Sequence, residues 1–328
     1  MSRQTRIFLA ILFGLQACTY SFSDHSHDHT ECRDALYEEA QLPERLQMKG
    51  ALLSTRFESF EELKSVLLLD YQSSGKGLAG LWRKKAGVRV RYCSQGQTLT
   101  SELTEGISQG DLLKIKNGTV WQQAALILKA PFTVRHRLDL ERIYLLARIR
   151  PNLFGDGDVA FYTLAEAAYR KITTPQLAFL SPRDSSEKGY INTFNHITAQ
   201  AFITTCFSEA LADFVADAHE RFHHPELIHG RFTHRQVSDL EEGPVDNYVD
   251  LINNEIGQEL GKKLKAKYHI TKRTRWTPDL MAAYLNDLQQ YYGRAFHIGL
   301  MPFRADEEVV IRFAHKINQV MRQSNFDS

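Results

Sequence analysis

The chain has 328 residues, 43% apolar and 24% charged, an ordinary globular composition with enough apolar side chains for one sizeable core or two smaller ones. Forty basic residues stand against 39 acidic ones, so no net field draws a polyanion, and nucleic acid is excluded as an expected partner. Past the first eighteen residues, no stretch offers the roughly 20 uncharged apolar residues that a membrane-spanning helix requires.

The amino end reads Arg3 and Arg6, an apolar run from Ile7 to Leu15, then Leu15-Gln16-Ala17-Cys18. A basic start, a short apolar core and a small residue before a cut are the features of an export signal. Leu-x-Ala-Cys is similar to the lipobox of bacterial lipoproteins. That resemblance implies cleavage before Cys18, lipid on Cys18 and a membrane as partner through that lipid. Thr19 in place of an aspartate implies the outer membrane, facing the periplasm or the surface. The competing reading is an ordinary secreted protein with a cysteine there by chance. Loss of Arg3 and Arg6 leaves the mature chain slightly acidic.

Residues 18–34 read as a polar tether. Within it His25, His27 and His29 alternate with Ser26 and Asp28, a spacing able to capture zinc or copper through neutral imidazoles. A plain flexible leader is the other reading. The remaining cysteines are Cys32, Cys93 and Cys206. In an oxidising compartment they allow one intrachain disulfide at most, expected between Cys32 and Cys93. Cys206, in an apolar helical stretch, is expected to be a small buried hydrophobe.

Residues 35–136 are expected to form a mixed α/β region. Leu63, Val66 and Leu67 recur at helical spacing behind Ser59, a candidate N-cap followed by Glu61 and Glu62. Val88–Tyr92 and Leu112–Ile115 alternate apolar with polar, and Asn117-Gly118 before Thr119–Ile127 signals a hairpin. From residue 137 to 328 the pattern is helical: 138–149, 161–172, 188–205, 207–223, 245–268, 278–292 and 306–321 carry apolar stripes. The expected class is therefore mainly α, with a helical carboxy-terminal domain and a small α+β amino-terminal region.

Three of these helices carry polar rows beside their apolar stripes. At about 100° per residue, Asp246, Asp250, Asn253, Asn254, Gly257 and Gly261 share one wedge. Two glycines on one helical face imply that another backbone approaches there, because each costs about 1 kcal/mol relative to alanine. Asn192, His196 and Gln200 stack at i, i+4 and i+8 among Phe194, Ile197, Ala201 and Phe202. On the third helix His219 aligns with Ala212, Val215 and Phe222, which places it on the expected core stripe, with Asp213, Asp217 and Glu220 alongside. Buried polar groups need partners, at a cost of about 1–3 kcal/mol for each one left without. Three such rows satisfy one another most simply by meeting.

Two readings of that seam stand side by side. In one, His196, His219 and Asp250 form a metal site or hydrolytic centre, with Asn254, Asp217 or Glu220 as further ligand, orienting group or base. Neutral imidazoles with a carboxylate suit zinc or another divalent ion, and Glu220 is placed to act as the base. In the other, the seam is a hydrogen-bonded network that fixes helix register. No His-Glu-x-x-His, Cys-x-x-Cys, Gly-x-Ser-x-Gly or phosphate-binding glycine loop is present. His223, His224, His229 and His234 follow the third helix, where two readings stand, extension of the site and a solvated loop, the solvated loop being the expected one.

The segments Asn192-Thr-Phe-Asn-His196, Asp217-Ala-His-Glu220 and Asp250-Leu-Ile-Asn-Asn254-Glu-Ile-Gly257 resemble an uncharacterised bacterial domain family. Its ordered motifs are Asp-Ala-Phe-Arg-His, Asp-Ala-His-Glu and Asp-Leu-x-Asn-Asn-x-x-Gly, found in exported and toxin-like proteins. The likeness runs from Gly189 to Gly261. It implies an all-helical domain whose motif residues converge, with His196, Asp217, His219, Glu220, Asp250, Asn253, Asn254 and Gly257 at matching positions. Asn192 and Asn195 stand where the family pattern has Asp and Arg, so a mechanism needing that charge pair does not carry over. The expected function is a lipid-anchored envelope hydrolase, metal-dependent where an ion is bound, acting on a component such as peptidoglycan or phospholipid. The alternatives are a non-catalytic binding or assembly lipoprotein, with a metal-capturing leader and a protein partner, and a toxin-like effector module.

Overall fold

A computed structural model of the protein describes Leu46 and residues 49–322, apart from 74, 77–82, 95, 117–118, 120–129, 225, 230–233, 235–237 and 239–243. Cys18, the histidines at 25, 27 and 29, Cys32 and the Asn117-Gly118 turn lie outside the described residues. The described chain is mainly helical, with a small three-stranded sheet toward its amino end.

Helix α1 (Phe60–Val66) starts where Ser59 accepts a hydrogen bond from the backbone N–H of Glu62, at 3.2 Å. That N-cap is the one the sequence places there. Strands β1 (Leu68–Gln72), β2 (Gly75–Lys76), β3 (Arg83–Lys84), β4 (Gly87–Ser94) and β5 (Gln97–Thr104) follow. The sheet has the order β1-β4-β5, antiparallel throughout, and β2 pairs separately with β3. Val88, Val90 and Tyr92 alternate inward on β4 and are buried. The strand expected over Leu112–Ile115 is instead part of helix α2 (Gln109–Lys116). Ser108 and Asp111 cap that helix reciprocally, the Ser108 N–H and hydroxyl donating to the Asp111 carboxylate and the Asp111 N–H to the hydroxyl. A satisfied amino-terminal turn outweighs four residues of alternation.

The rest of the described chain forms α3 (Pro131–Arg135), α4 (Arg137–Ala147), α5 (Pro151–Phe154), α6 (Phe161–Arg170), α7 (Pro175–Ala178), α8 (Asn192–Cys206), α9 (Glu209–His223), α10 (Glu226–His229), α11 (Pro244–Lys267), α12 (Pro278–Phe296) and α13 (Glu308–Arg322). The longer helices start and stop within a few residues of their apolar patterns. A wide turn over Glu187–Ile191 replaces the expected start of α8, because Gly189 passes so close to Asp184 that a Cβ would lie 2.1 Å from its carbonyl oxygen.

Helix α8 runs through the middle of the domain, packed along α11 with α6 and α9 against its other sides. Gly257 and Gly261 allow that contact: a Cβ at Gly257 would lie 2.7 Å from the Ile197 carbonyl oxygen, and one at Gly261 2.6 Å from that of Ala201. Phe194 stacks on Tyr292 of α12 with ring centroids 4.1 Å apart. One apolar core runs continuously from Leu52, Leu53 and Phe57 through α8 and α11 to Ile317 and Val320 of α13. Asn253 ties the amino-terminal segment to that core, its carbonyl oxygen accepting from Leu52 N–H and its amide donating to the Leu52 carbonyl, both at 2.9 Å. No described helix is long and apolar enough to cross a membrane.

Candidate metal centre

The polar rows of α8, α9 and α11 meet. His196 projects from α8 between the other two helices, its side chain 10% exposed. Its Nε2 lies 3.2 Å from Asp250 Oδ2, and its Nδ1 lies 2.9 Å from Asn254 Oδ1 and 3.8 Å from Glu220 Oε1. Asn254 turns its amide to donate to Glu220 Oε1 at 3.2 Å. The Asn192 amide donates to Asp250 at 3.1 Å, with Asp246 at 3.3 Å, and Lys188 caps the row with its ammonium 2.6 Å from Asp246 Oδ2. At the solvent edge His219 approaches His196, the ring centroids 6.0 Å apart. Gln109 of α2 holds the outer ring, its Oε1 3.0 Å from His219 Nδ1.

Both nitrogens of His196 face oxygen acceptors, a geometry that suits an imidazolium. Burial opposes that charge, but Asp250 and then Glu220 outweigh it and raise the group to about 10. The neighbouring acids respond to the same environment. Burial pushes Glu220 up to about 8, reinforced by the charge of Asp250 and opposed by His196. Asp246 rises to about 6, again through burial and the charge of Asp250. Asp250 stays below the usual carboxylate range, because His196, Asn192 and Lys188 overcome its burial. His219 is pressed down to about 4 by the protein packed around it and by the His196 and His223 charges. At neutral pH its ring is therefore uncharged, the form that ligates metals.

Among the described residues, His196, His219 and Glu220 form a group able to hold a metal ion, with one ligand atom from each lying within 4.8 Å of the others. The sequence points to Asp250 as the carboxylate of that set. In the structure Glu220 fills this place, and Asp250 supports His196 from the far side of the ring. A carboxylate bonded to the second nitrogen of a ligating histidine fixes the tautomer and orientation of the ring. Asn192 and Asn254 belong to the cluster as expected.

Three expected positions differ. His219 is not on a core stripe: Ala212, Ala216 and Glu220, at i, i+4 and i+8, form the inward row of α9, while Phe222 is 66% exposed. The small alanines let α9 approach its neighbours most closely on that row, turning Val215 and His219 toward the rim. Asp217 points away from the centre and pairs with Arg221, whose guanidinium also donates to the carbonyls of Thr104 and Ile107. Asn253 serves the backbone of Leu52, as described above. The residues after α9 are not a wholly solvated loop either: His223 is exposed, but His224 is fully buried, with Nδ1 2.7 Å from Glu226 Oε1 and Nε2 4.0 Å from Glu220 Oε2. Lys188, Asp246 and Gln109 were not singled out as centre residues by spacing. Of these, only Asp246 carried a signal, its place in the wedge of α11.

Family models, curated proteins and solved structures were all compared with this chain, and none matches it.

Proposed function

We propose that the seam is the centre of a divalent-metal-dependent hydrolase, with zinc the best-suited ion, and that Cys18 tethers it to an envelope membrane where its substrate lies. The observation that carries the reading is the convergence of His196, His219 and Glu220, with Asp250 on the far nitrogen of His196. In the ligating state, with His196 neutral and Glu220 ionised, Asp246, Asp250 and Glu220 against Lys188 would leave two negative charges for one divalent ion to cancel; without metal the His196 and Glu220 protons already balance the cluster, so binding would displace both of them.

A bound ion of this kind supplies a Lewis acid and an acidified water. The chain's own residues do the remaining work. Asp250 would hold the His196 ring through Nε2–H and leave Nδ1, which faces Asn254 Oδ1 at 2.9 Å, as the nitrogen to ligate once it has lost its proton, while the Asn254 and Asn192 amides hold the two carboxylates in place. Gln109 accepts the Nδ1 proton of His219 and leaves its Nε2 free to ligate. Glu220, the most buried of the three groups, would supply the carboxylate ligand. Cleavage is assigned to an ester, phosphoester or amide bond of an envelope component such as phospholipid or peptidoglycan.

The rival is a non-catalytic binding or assembly lipoprotein whose polar seam only fixes helix register. The partnered amides of Asn192 and Asn254 favour it. The test is release of product from phospholipid, phosphodiester and peptidoglycan substrates by the zinc-loaded protein. Turnover is expected with the parent and lost in Glu220→Gln, at unchanged helical content. No turnover on any of the three classes, by a protein that has taken up zinc, contradicts the proposal.

A further inference from the structure

We propose that His223 and His219 form a second, exposed metal position at the rim, which captures a divalent ion and hands it to the inner group. The two residues stand at i and i+4 on α9, one directly above the other. Their ring centroids are 4.9 Å apart. Two imidazoles on a common ion, each with a metal–nitrogen bond of about 2 Å, place their centroids about 5 Å apart. The pair thus has a ring separation that fits one shared ion, whereas the rings of His196 and His219 are 6.0 Å apart. Both rim residues are reachable from solvent. Phe222 meets His223 edge to face at 5.1 Å and steadies its ring.

Gln109 makes the arrangement selective. It occupies Nδ1 of His219 at 3.0 Å, which leaves Nε2 as the single ligating atom of that residue. His219 can therefore serve the rim or the interior, but not two ions at once. From His223 through His219 to His196 and Glu220 the ligands run from exposed to buried. A swing of the His219 ring moves an ion one step along that series. The hand-over, unlike the rim pair itself, rests on the metal reading of the inner group.

The chain's leader histidines must be silenced for the test, so the parent is the full chain with His25, His27 and His29 changed to alanine. Zn²⁺ is titrated calorimetrically into this parent, into His196→Gln, into His223→Ala and into the double variant. Expected is one tight ion in the parent, a weaker one in His196→Gln held by the rim, and none at the rim in the double variant. In His223→Ala uptake and release of the ion should both slow severalfold, leaving the affinity of the inner group nearly unchanged. If His196→Gln retains no ion while the parent binds one, the rim pair is overturned and the inner site stands. If parent and His196→Gln bind alike, the inner site fails and the rim pair stands alone. Uptake unaffected by His223→Ala overturns the hand-over. Should His196→Gln fail to fold, broadening of the His219 and His223 imidazole signals by substoichiometric Ni²⁺ in the parent decides the rim pair, and absence of that broadening overturns it.

Discussion

His196 is a buried base held between acids, and its protonation should be visible in stability. Its folded value, near 10, is above the ordinary histidine value, and Glu220, near 8, is above the ordinary glutamate value. Over the window from about pH 6.5 to 10 the metal-free folded state therefore binds more protons than the unfolded chain, so stability falls as pH rises. The melting temperature without metal should decline across that window, and His196→Gln should flatten the decline above pH 8; a parent melting temperature that rises from pH 7 to 9 would refute the assignment. Removing His196 altogether leaves Asp250 and Glu220 without their cation, so His196→Ala should cost about 3–5 kcal/mol in denaturant unfolding. Loss of stability alone thus does not separate a metal centre from a structural network. Asp250→Asn does separate them: removal of the supporting carboxylate should lower zinc affinity about 10–100-fold, measured by calorimetry, whereas a purely structural network predicts no such change. These residues were legible because i, i+4 spacing places side chains on a common helical face whatever that face meets. The inward direction of α9 was not legible, since it depends on whether Ala216 or Val215 allows the closer approach.

Helix-to-helix distance is set by two absent side chains. Gly257→Ala would gain about 1 kcal/mol of helix propensity, yet its Cβ would meet Gln200 Cβ and the Ile197 carbonyl, both at 2.7 Å. Overpacking of that kind costs about 1–3 kcal/mol, so the variant should unfold at lower denaturant concentration and also bind zinc less tightly, because α8 and α11 separate beneath His196 and Asp250. Asn253→Ala supplies the contrast. It removes both hydrogen bonds to Leu52 and should cost about 2–3 kcal/mol with zinc affinity preserved, and a matching loss of affinity would place Asn253 back in the centre. At this scale the sequence was informative wherever caps and long stripes agreed, as at Ser59 and along α11. Short segments were misread. Leu112–Ile115 alternates, but the Ser108–Asp111 cap decides its conformation, and no periodicity in α8 foretells the close approach of Gly189 to the Asp184 carbonyl at the wide turn before it.

At the scale of the whole molecule, the cluster lies in the same continuous core that joins the amino-terminal segment to the last helix. A second buried charge pair closes the far end: Lys316 of α13 donates to Asp158 Oδ2 at 2.9 Å and to the carbonyls of Arg148 and Val159 at 2.8 and 2.7 Å. Lys316→Met should leave Asp158 buried without its cation and cost about 3–5 kcal/mol, read by thermal unfolding, with zinc binding unaltered, since Arg148, Asp158 and Val159, to which Lys316 bonds, lie outside α8, α9 and α11. Such pairings join distant parts of the chain, so spacing along the sequence does not announce them. The mainly helical class was legible because it sums many weak periodic signals, while the chemistry of the seam depends on which three of several polar rows converge. Anomalous diffraction at the zinc edge from crystals of the metal-loaded protein tests that convergence most directly. One peak bonded to His196, His219 and Glu220, with Asp250 on the opposite nitrogen of His196, is the expected result. A map with full zinc occupancy elsewhere and none between these three side chains would contradict the central claim.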